Sequence, residues 1–252
     1  MKKLLILFTI ASTINSFGQE TVRIKQKKIY DWGTPYPKHK EIFHVLKSNN
    51  NTKHGLYTLK AGRKVIAEGW YKNDLKDSIW IYRQTGGYNN YISSRGYYEN
   101  DEKIGVWEYF NKDGLEQKYD YLFDSLIFTN IEYNDTIIPV WKENNFTLNK
   151  VDSPPIFKEG KSAEKYYIRQ ANHFFGYNIP QNVWIIAIVQ FEIDDYGETH
   201  NHTIIEGDYP EYNDNALQVV KSIPDEWIPA KINGKPVKSL WTITMKNKYK
   251  IK

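Results

Sequence analysis

Arg95–Phe110 reads RGYYENDEKIGVWEYF, and twenty-seven residues earlier Glu68–Arg83 reads EGWYKNDLKDSIWIYR. Gly69 answers Gly96, Tyr71 answers Tyr98, Asn73-Asp74 answers Asn100-Asp101, Lys76 answers Lys103, Trp80 answers Trp107 and Tyr82 answers Tyr109. Each copy holds a short aromatic run after a Gly, a polar stretch with Asn-Asp and Lys, and a Trp-x-Tyr run. Residues two apart in an extended chain share a face, so Trp107 and Tyr109 point the same way. Asn-Asp favours a tight turn, so each copy predicts a β-hairpin. A lone hairpin is marginal in water, whereas stacked hairpins bury a continuous aromatic face. The phrase therefore recurs because one unit cannot cover its own apolar surface. A fainter half-copy, HGLYTLKAG (His54–Gly62), comes before the first full one. The spacing lies within the range of repeat arrays.

Composition agrees with a β-rich globular protein. The 252 residues are 40% hydrophobic and 25% charged, and they include 20 Tyr and 8 Trp against 2 Met. Aromatic residues suit pleated, half-buried surfaces. With no Cys in the chain, disulfides, thiolate metal sites and lipid attachment to a cysteine are excluded, so packing must hold the fold. Residues 1–19, MKKLLILFTIASTINSFGQ, have the layout of a secretory signal peptide: Lys2 and Lys3, then the short apolar run Leu4–Ala11, then small residues before Glu20. That run is too short for the about 20 apolar residues that span a bilayer. The expectation is a protein that acts in the periplasm or is secreted after cleavage. Without Lys2 and Lys3, the 34 basic residues fall to 32 against 30 acidic ones. So balanced a chain has no basic stripe for nucleic acid.

Residues 20–139 are expected to form the repeat domain and 140–154, ending in Ser153-Pro154-Pro155, a linker. Residues 155–252 read α-β-β-α-β. Ser162–Phe175 carries Ala163, Tyr167, Ala171 and Phe174 on one helical face. Val183–Ile193 alternates as a strand, Asp194–Gly197 turns, and Glu198–Glu206 returns. A second helix covers Asn213–Ser222, and Val237–Tyr249 is the last strand. The predicted class is α+β: an antiparallel β-meander, then two helices on a small antiparallel sheet.

Residues 54–114 resemble MORN-like repeats of the YwqK type, with Ser78 standing where the second Gly of the first copy would be. Residues 155–252 resemble the C-terminal domain of TonB. The ordered landmarks are Pro155–Gly160, Ile179-Pro180, Phe191–Gly197, Asn215–Ser222, Trp227-Ile228-Pro229-Ala230 and Asn233-Gly234-Lys235-Pro236-Val237. The resemblance implies a binding module that grips a short peptide of an outer-membrane receptor by adding it as a strand. The partner-binding residues are then expected along the final strand, at Ser239, Leu240, Trp241, Thr242, Ile243, Thr244 and Met245, with Gln170 and Pro180 alongside. The expected partner is a TonB-dependent receptor or another envelope protein. The repeat domain or a second copy of the chain is a competing cover for the same edge.

Catalytic signatures are missing from the sequence: it has no nucleophile elbow, phosphate loop or His-Glu metalloprotease motif. His200-x-His202 would place two imidazoles on one strand face, but no third metal ligand is indicated, and Asp194-Asp195 is more simply a turn. The reading is a non-enzymatic interaction protein without metal or cofactor. A TonB energy transducer is the alternative if residues 1–19 stay attached. A glycan- or cell-surface-binding module is another, if Trp80 or Trp107 offers an open face; the competing reading puts Trp70, Trp80, Trp107 and Tyr109 in the core.

Overall fold

A computed structural model describes residues 21–30, 37–86, 89–133, 136–171 and 183–248. The signal-like segment 1–19, Ile179-Pro180 and the end of the first expected helix lie outside them.

Nine strands follow one another as an antiparallel meander, each bonded to the next in sequence. They are β1 (Thr21–Tyr30), β2 (Pro37–Leu46), β3 (Lys53–Ala61), β4 (Lys64–Lys72), β5 (Leu75–Gly86), β6 (Asn89–Glu99), β7 (Glu102–Asn111), β8 (Gly114–Asp120) and β9 (Ser125–Thr129). The two Asn-Asp pairs make the hairpin turns. Asn73, Asp74, Asn100 and Asp101 all take positive φ, between 51° and 70°, the left-handed pairing that matches strand twist in two-residue loops. Each turn is tied to the preceding repeat, since Asp74 Oδ1 accepts from the Lys53 N–H and Asp101 Oδ1 from the Lys76 N–H, both at 2.6 Å. Ser78 takes φ 59° where its counterpart Gly105 takes 58°. The turn geometry is thus conserved between copies, at a cost of about 1–2 kcal/mol for a residue with a Cβ.

Glycine and tryptophan form a matched pair in each copy. A Cβ on Gly69 would lie 2.2 Å from the Trp80 ring, and one on Gly96 would lie 2.3 Å from Trp107. The absent side chain lets each indole lie flat across the neighbouring strand. Each indole Nε1–H then donates to a backbone carbonyl 3.0 Å away, Trp80 to Trp70 and Trp107 to Tyr97. Tyr71 and Tyr98 pack edge-on against these rings. Trp80, Trp107 and Tyr109 are core, at 1%, 1% and 3% exposure, whereas Trp70 is 39% exposed on the other face.

The second unit departs from the expectation in three respects. The stretch 140–154 is mainly strand and not linker: β10 (Ile137–Lys142) and β11 (Asn145–Lys150) form a hairpin with Glu143-Asn144 at its turn. Val140 pairs with Ser239, so this hairpin joins the second sheet. Its order is β11-β10-β18-β13-β14, with β13 (Trp184–Ile193), β14 (Thr199–Gly207) and β18 (Ser239–Lys248). Between them come β12 (Ile156–Phe157), α1 (Lys161–Ala171), α2 (Pro210–Lys221), β15 (Trp227–Ile228), β16 (Ala230–Ile232) and β17 (Lys235–Val237). The last expected strand is divided, since Lys235–Val237 pairs back on Ala230–Ile232. Helix α2 starts at Pro210, before the expected Asn213, because proline suits the first helical turn. Ile185, Ala187, Val189, Phe191 and Ile193 pack with Tyr212, Ala216, Val219 and Val220 beneath it. Over the described residues the chain is α+β, mostly antiparallel strands with two helices.

Two consequences can be measured. Gly96→Ala should lower stability by about 2–3 kcal/mol, the cost of overpacking, read as a shift in the urea midpoint. Burial raises the hydroxyl pKa of Tyr71 to about 12 and also raises those of Tyr57, Tyr82, Tyr98, Tyr109, Tyr119 and Tyr121. In the unfolded chain tyrosine ionises near pH 10. The folded chain keeps these protons, so their stabilisation is complete below pH 10 and is lost above it, by about 1.4 kcal/mol per tyrosine per pH unit. The share of tyrosinate absorbance that belongs to these seven hydroxyls should therefore appear together with the loss of circular dichroism in one alkaline step; the full tyrosinate signal of the chain with dichroism intact would contradict this.

Candidate functional site

Strand β18 is an interior strand at its start and an edge beyond it. It pairs with β13 over ten successive residue pairs, Trp184↔Lys248 to Ile193↔Ser239, with no register shift. On the other side β10 meets it only at Ser239, with the Trp141 N–H donating to the Lys238 carbonyl at 2.8 Å. From Leu240 to Lys248 no other strand pairs along that side among the described residues. Ser239 is fully buried and flanked on both sides, so it is removed from the expected binding set. Ile243 and Met245 belong to the core and Trp241 packs against it, so these three can contribute backbone only. Thr242 and Thr244 project to solvent and Leu240 is half-buried. Gln170 sits at the end of α1, which packs on α2 and β12; Pro180 lies outside the described residues.

The other open edge, β14, is interrupted by bulges. Gln190 pairs with Thr203 and Glu192 with His200, so Asn201 and His202 together face Phe191. Asn201 takes φ 51°. The extra residue puts His200 and His202 on opposite faces, against the expectation of a shared one. His202 stacks on Phe191 at 5.0 Å between ring centres, while His200 Nε2 lies 2.9 Å from Asp194 Oδ2. Asp194, Glu198 and His200 bring ligand atoms within 4.8 Å of one another. Asp194 already accepts the N–H groups of Tyr196 and Glu198 at 2.9 Å each. Burial pushes its carboxyl up, but these bonds and His200 outweigh that and hold it below the usual carboxylate range. The arrangement organises the turn.

A second constellation, missed in the sequence, lies where the two units meet. Lys53, Lys76 and Lys103 occupy equivalent places in successive hairpins, each with its ammonium over aromatic rings. Lys53 sits over Phe43, Tyr57 and Tyr71, Lys76 over Trp80, Tyr82 and Tyr98, and Lys103 over Trp107 and Tyr121, all within 5.7 Å of the ring centres. The recurring Lys-x-Gly/Ser-x-Tyr/Trp at 53, 76 and 103 was the available signal. The second unit docks on the Lys103 rung. Glu159 pairs with Lys103, and Glu226 Oε2 accepts both from Lys103 Nζ at 3.1 Å and from the Tyr121 hydroxyl at 2.8 Å. Burial pulls the Lys103 ammonium down, and the two carboxylates more than offset it, so its pKa is raised.

Three further contacts fix the seam. Gln117 Nε2 donates to the Phe157 and Lys158 carbonyls at 2.9 and 2.7 Å. Glu116 accepts the Ser162 N–H at 2.8 Å, placing a carboxylate at the start of α1. The β12–β15 ribbon alternates between the two cores: Ile156 and Ile228 enter the aromatic cluster, and Phe157 and Trp227 enter the other. Trp80 and Trp107 are covered on both sides, so neither offers a face for a sugar to stack on.

Lys103→Met should leave Glu159 and Glu226 without their cation. Because Glu226 is about a third exposed, the expected loss is about 2–3 kcal/mol, less than for a fully buried pair. Adding Glu159→Gln and Glu226→Gln should recover part of it, as thermal melts of the single and triple variants would show.

Comparison with protein-family models, curated proteins and solved structures finds no match for this chain.

Proposed function

We propose that the protein is a non-enzymatic interaction protein of the cell envelope, in which a MORN-like meander carries a TonB-like domain that receives an extended peptide at β18. The observation that carries this reading is the outer side of β18, with ten regular pairs on one flank and a single described pair, at Ser239, on the other. Unpaired N–H and C=O groups on a long regular strand are a template for a further strand. Bulges blunt β14 as a competitor, and β11 offers only six residues. The signal-like residues 1–19 favour the periplasm, and no helix among the described residues is long and apolar enough to cross a membrane. The receiving positions are Leu240 to Met245, recognised mainly through backbone. The implied partner is an N-terminal segment of a TonB-dependent receptor or of another envelope protein.

Hydrogen exchange of the full chain tests this. The outward amides between Leu240 and Lys248 should exchange quickly in the free protein and slow by about tenfold or more when a receptor N-terminal peptide is added. Slow exchange along the whole of β18 in the free monomer would refute the reading, as would no change with any receptor peptide.

A further inference from the structure

The lysine ladder shows, within one chain, what a rung takes when it is filled. At the first rung Glu41 Oε1 accepts from the Tyr57 hydroxyl at 2.8 Å and lies 3.6 Å from Lys53 Nζ. At the third, Glu226 Oε2 is shared between the Tyr121 hydroxyl and Lys103. In both cases one carboxylate bridges a lysine ammonium and a tyrosine hydroxyl. The second rung has the donors of the third, a lysine ammonium and a tyrosine hydroxyl, without the acceptor; Tyr57 of the first rung stands where Trp80 stands in the second. Lys76 Nζ donates to the Tyr82 hydroxyl at 3.1 Å, and Tyr82 donates to the Tyr98 hydroxyl at 3.4 Å. Among the described residues no carboxylate pairs with the Lys76 ammonium, and nothing accepts the Tyr98 hydroxyl proton. Lys76 and Tyr98 correspond to Lys103 and Tyr121, the pair that holds Glu226. Both line an open cleft of about 670 Å³ at the seam, with Asp101, Glu102, Lys103, Tyr121 and Glu226.

We infer that the Lys76–Tyr98 rung is a binding site for a carboxylate side chain, glutamate or aspartate, carried on an extended segment of a partner protein. The template for the occupant is the chain's own Glu226-Trp227-Ile228, where Glu226 reaches the third rung and Ile228 enters the aromatic cluster two residues on. Alternation in an extended chain puts both on one side. Acidic groups shape the selectivity. Asp101 spends one oxygen on the Lys76 N–H, Glu226 is held by Lys103 and Tyr121, and Glu102 is exposed. With three carboxylates and two ammonium groups lining the cleft, a single acid among neutral neighbours fits and a run of acids is repelled. Burial among aromatic rings lowers the Lys76 pKa, with Asp101 opposing. An arriving carboxylate would oppose that shift by favouring the charged ammonium. This site lies on the meander, apart from the β18 edge, and does not depend on strand addition.

The test uses the full chain and a fluorescent, end-blocked peptide Gly-Ser-Glu-Trp-Ile-Pro, followed by anisotropy. Binding at millimolar or lower concentration is expected. It should weaken about fivefold or more on Glu→Gln in the peptide, on Lys76→Met and on Tyr98→Phe, as for a half-exposed charged contact, while Lys112→Ala leaves it unchanged. A thermal melt separates binding from folding. Lys76→Met loses its bond to Tyr82 and its ring contacts but no ion pair, so it should lower the melting temperature less than Lys103→Met does. A peptide with three consecutive glutamates should bind more weakly than the single-glutamate peptide. Equal affinity for the Glu and Gln peptides, no binding at all, or indifference to Lys76→Met would overturn the proposal. So would a concentration-dependent dimer abolished by Lys76→Met, which would make a second copy the occupant.

Discussion

An indole can lie flat across a neighbouring strand only where that strand has no Cβ, and the first unit is organised around this constraint. Gly69 under Trp80 and Gly96 under Trp107 each free the space of one side chain. The large rings then sit low enough for tyrosines to pack edge-on and for lysines to lie above them. Everything that later matters at the seam depends on the height and spacing of these plates. A lysine over a ring is held in place by the face of the π-system, which leaves its remaining donors free for carboxylates. The repeat is therefore also a repeat of cation positions.

The second unit exploits those positions. Its carboxylates Glu159 and Glu226 meet Lys103, and Ile156 and Ile228 fill the aromatic cluster beside them. The β12–β15 ribbon joins the two units, because a two-residue strand pair with alternating faces belongs to both cores at once. That is more intimate than the polar contacts usual between loosely tethered domains.

The repeats, their turns and their inward-facing aromatics were legible in the sequence because each is a local pattern. Asn-Asp fixes a turn by its own backbone preference, and Trp-x-Tyr fixes a face by period. The strands at 184–193 and 199–207 were legible for the same reason. The β10–β11 hairpin was not. The stretch from residue 140 is polar on one side and short, so it read as a connection, and only the pairing of Val140 with Ser239 makes it part of a sheet. The split of the last strand at Lys238, the bulge that separates His200 from His202, and the pairing of Gln117 with Phe157 and Lys158 depend on what lies opposite. A one-dimensional pattern reports the face of an element and not who sits across from it. The β18 edge was anticipated from resemblance, yet its boundary at Ser239 is set by β10.

The seam also governs how such an array can change in length. The second unit grips β8 through Glu116 and Gln117 and the third rung through Lys103, so the carboxy-terminal end of the meander is a fixed terminus that serves as its cap. A hairpin inserted after the third rung would carry Trp107 and Tyr121 away from the residues that cover them. One inserted upstream would only add another plate and another ammonium. Growth or loss of repeats is thus permitted on the amino-terminal side alone, and related chains of different length should differ there first.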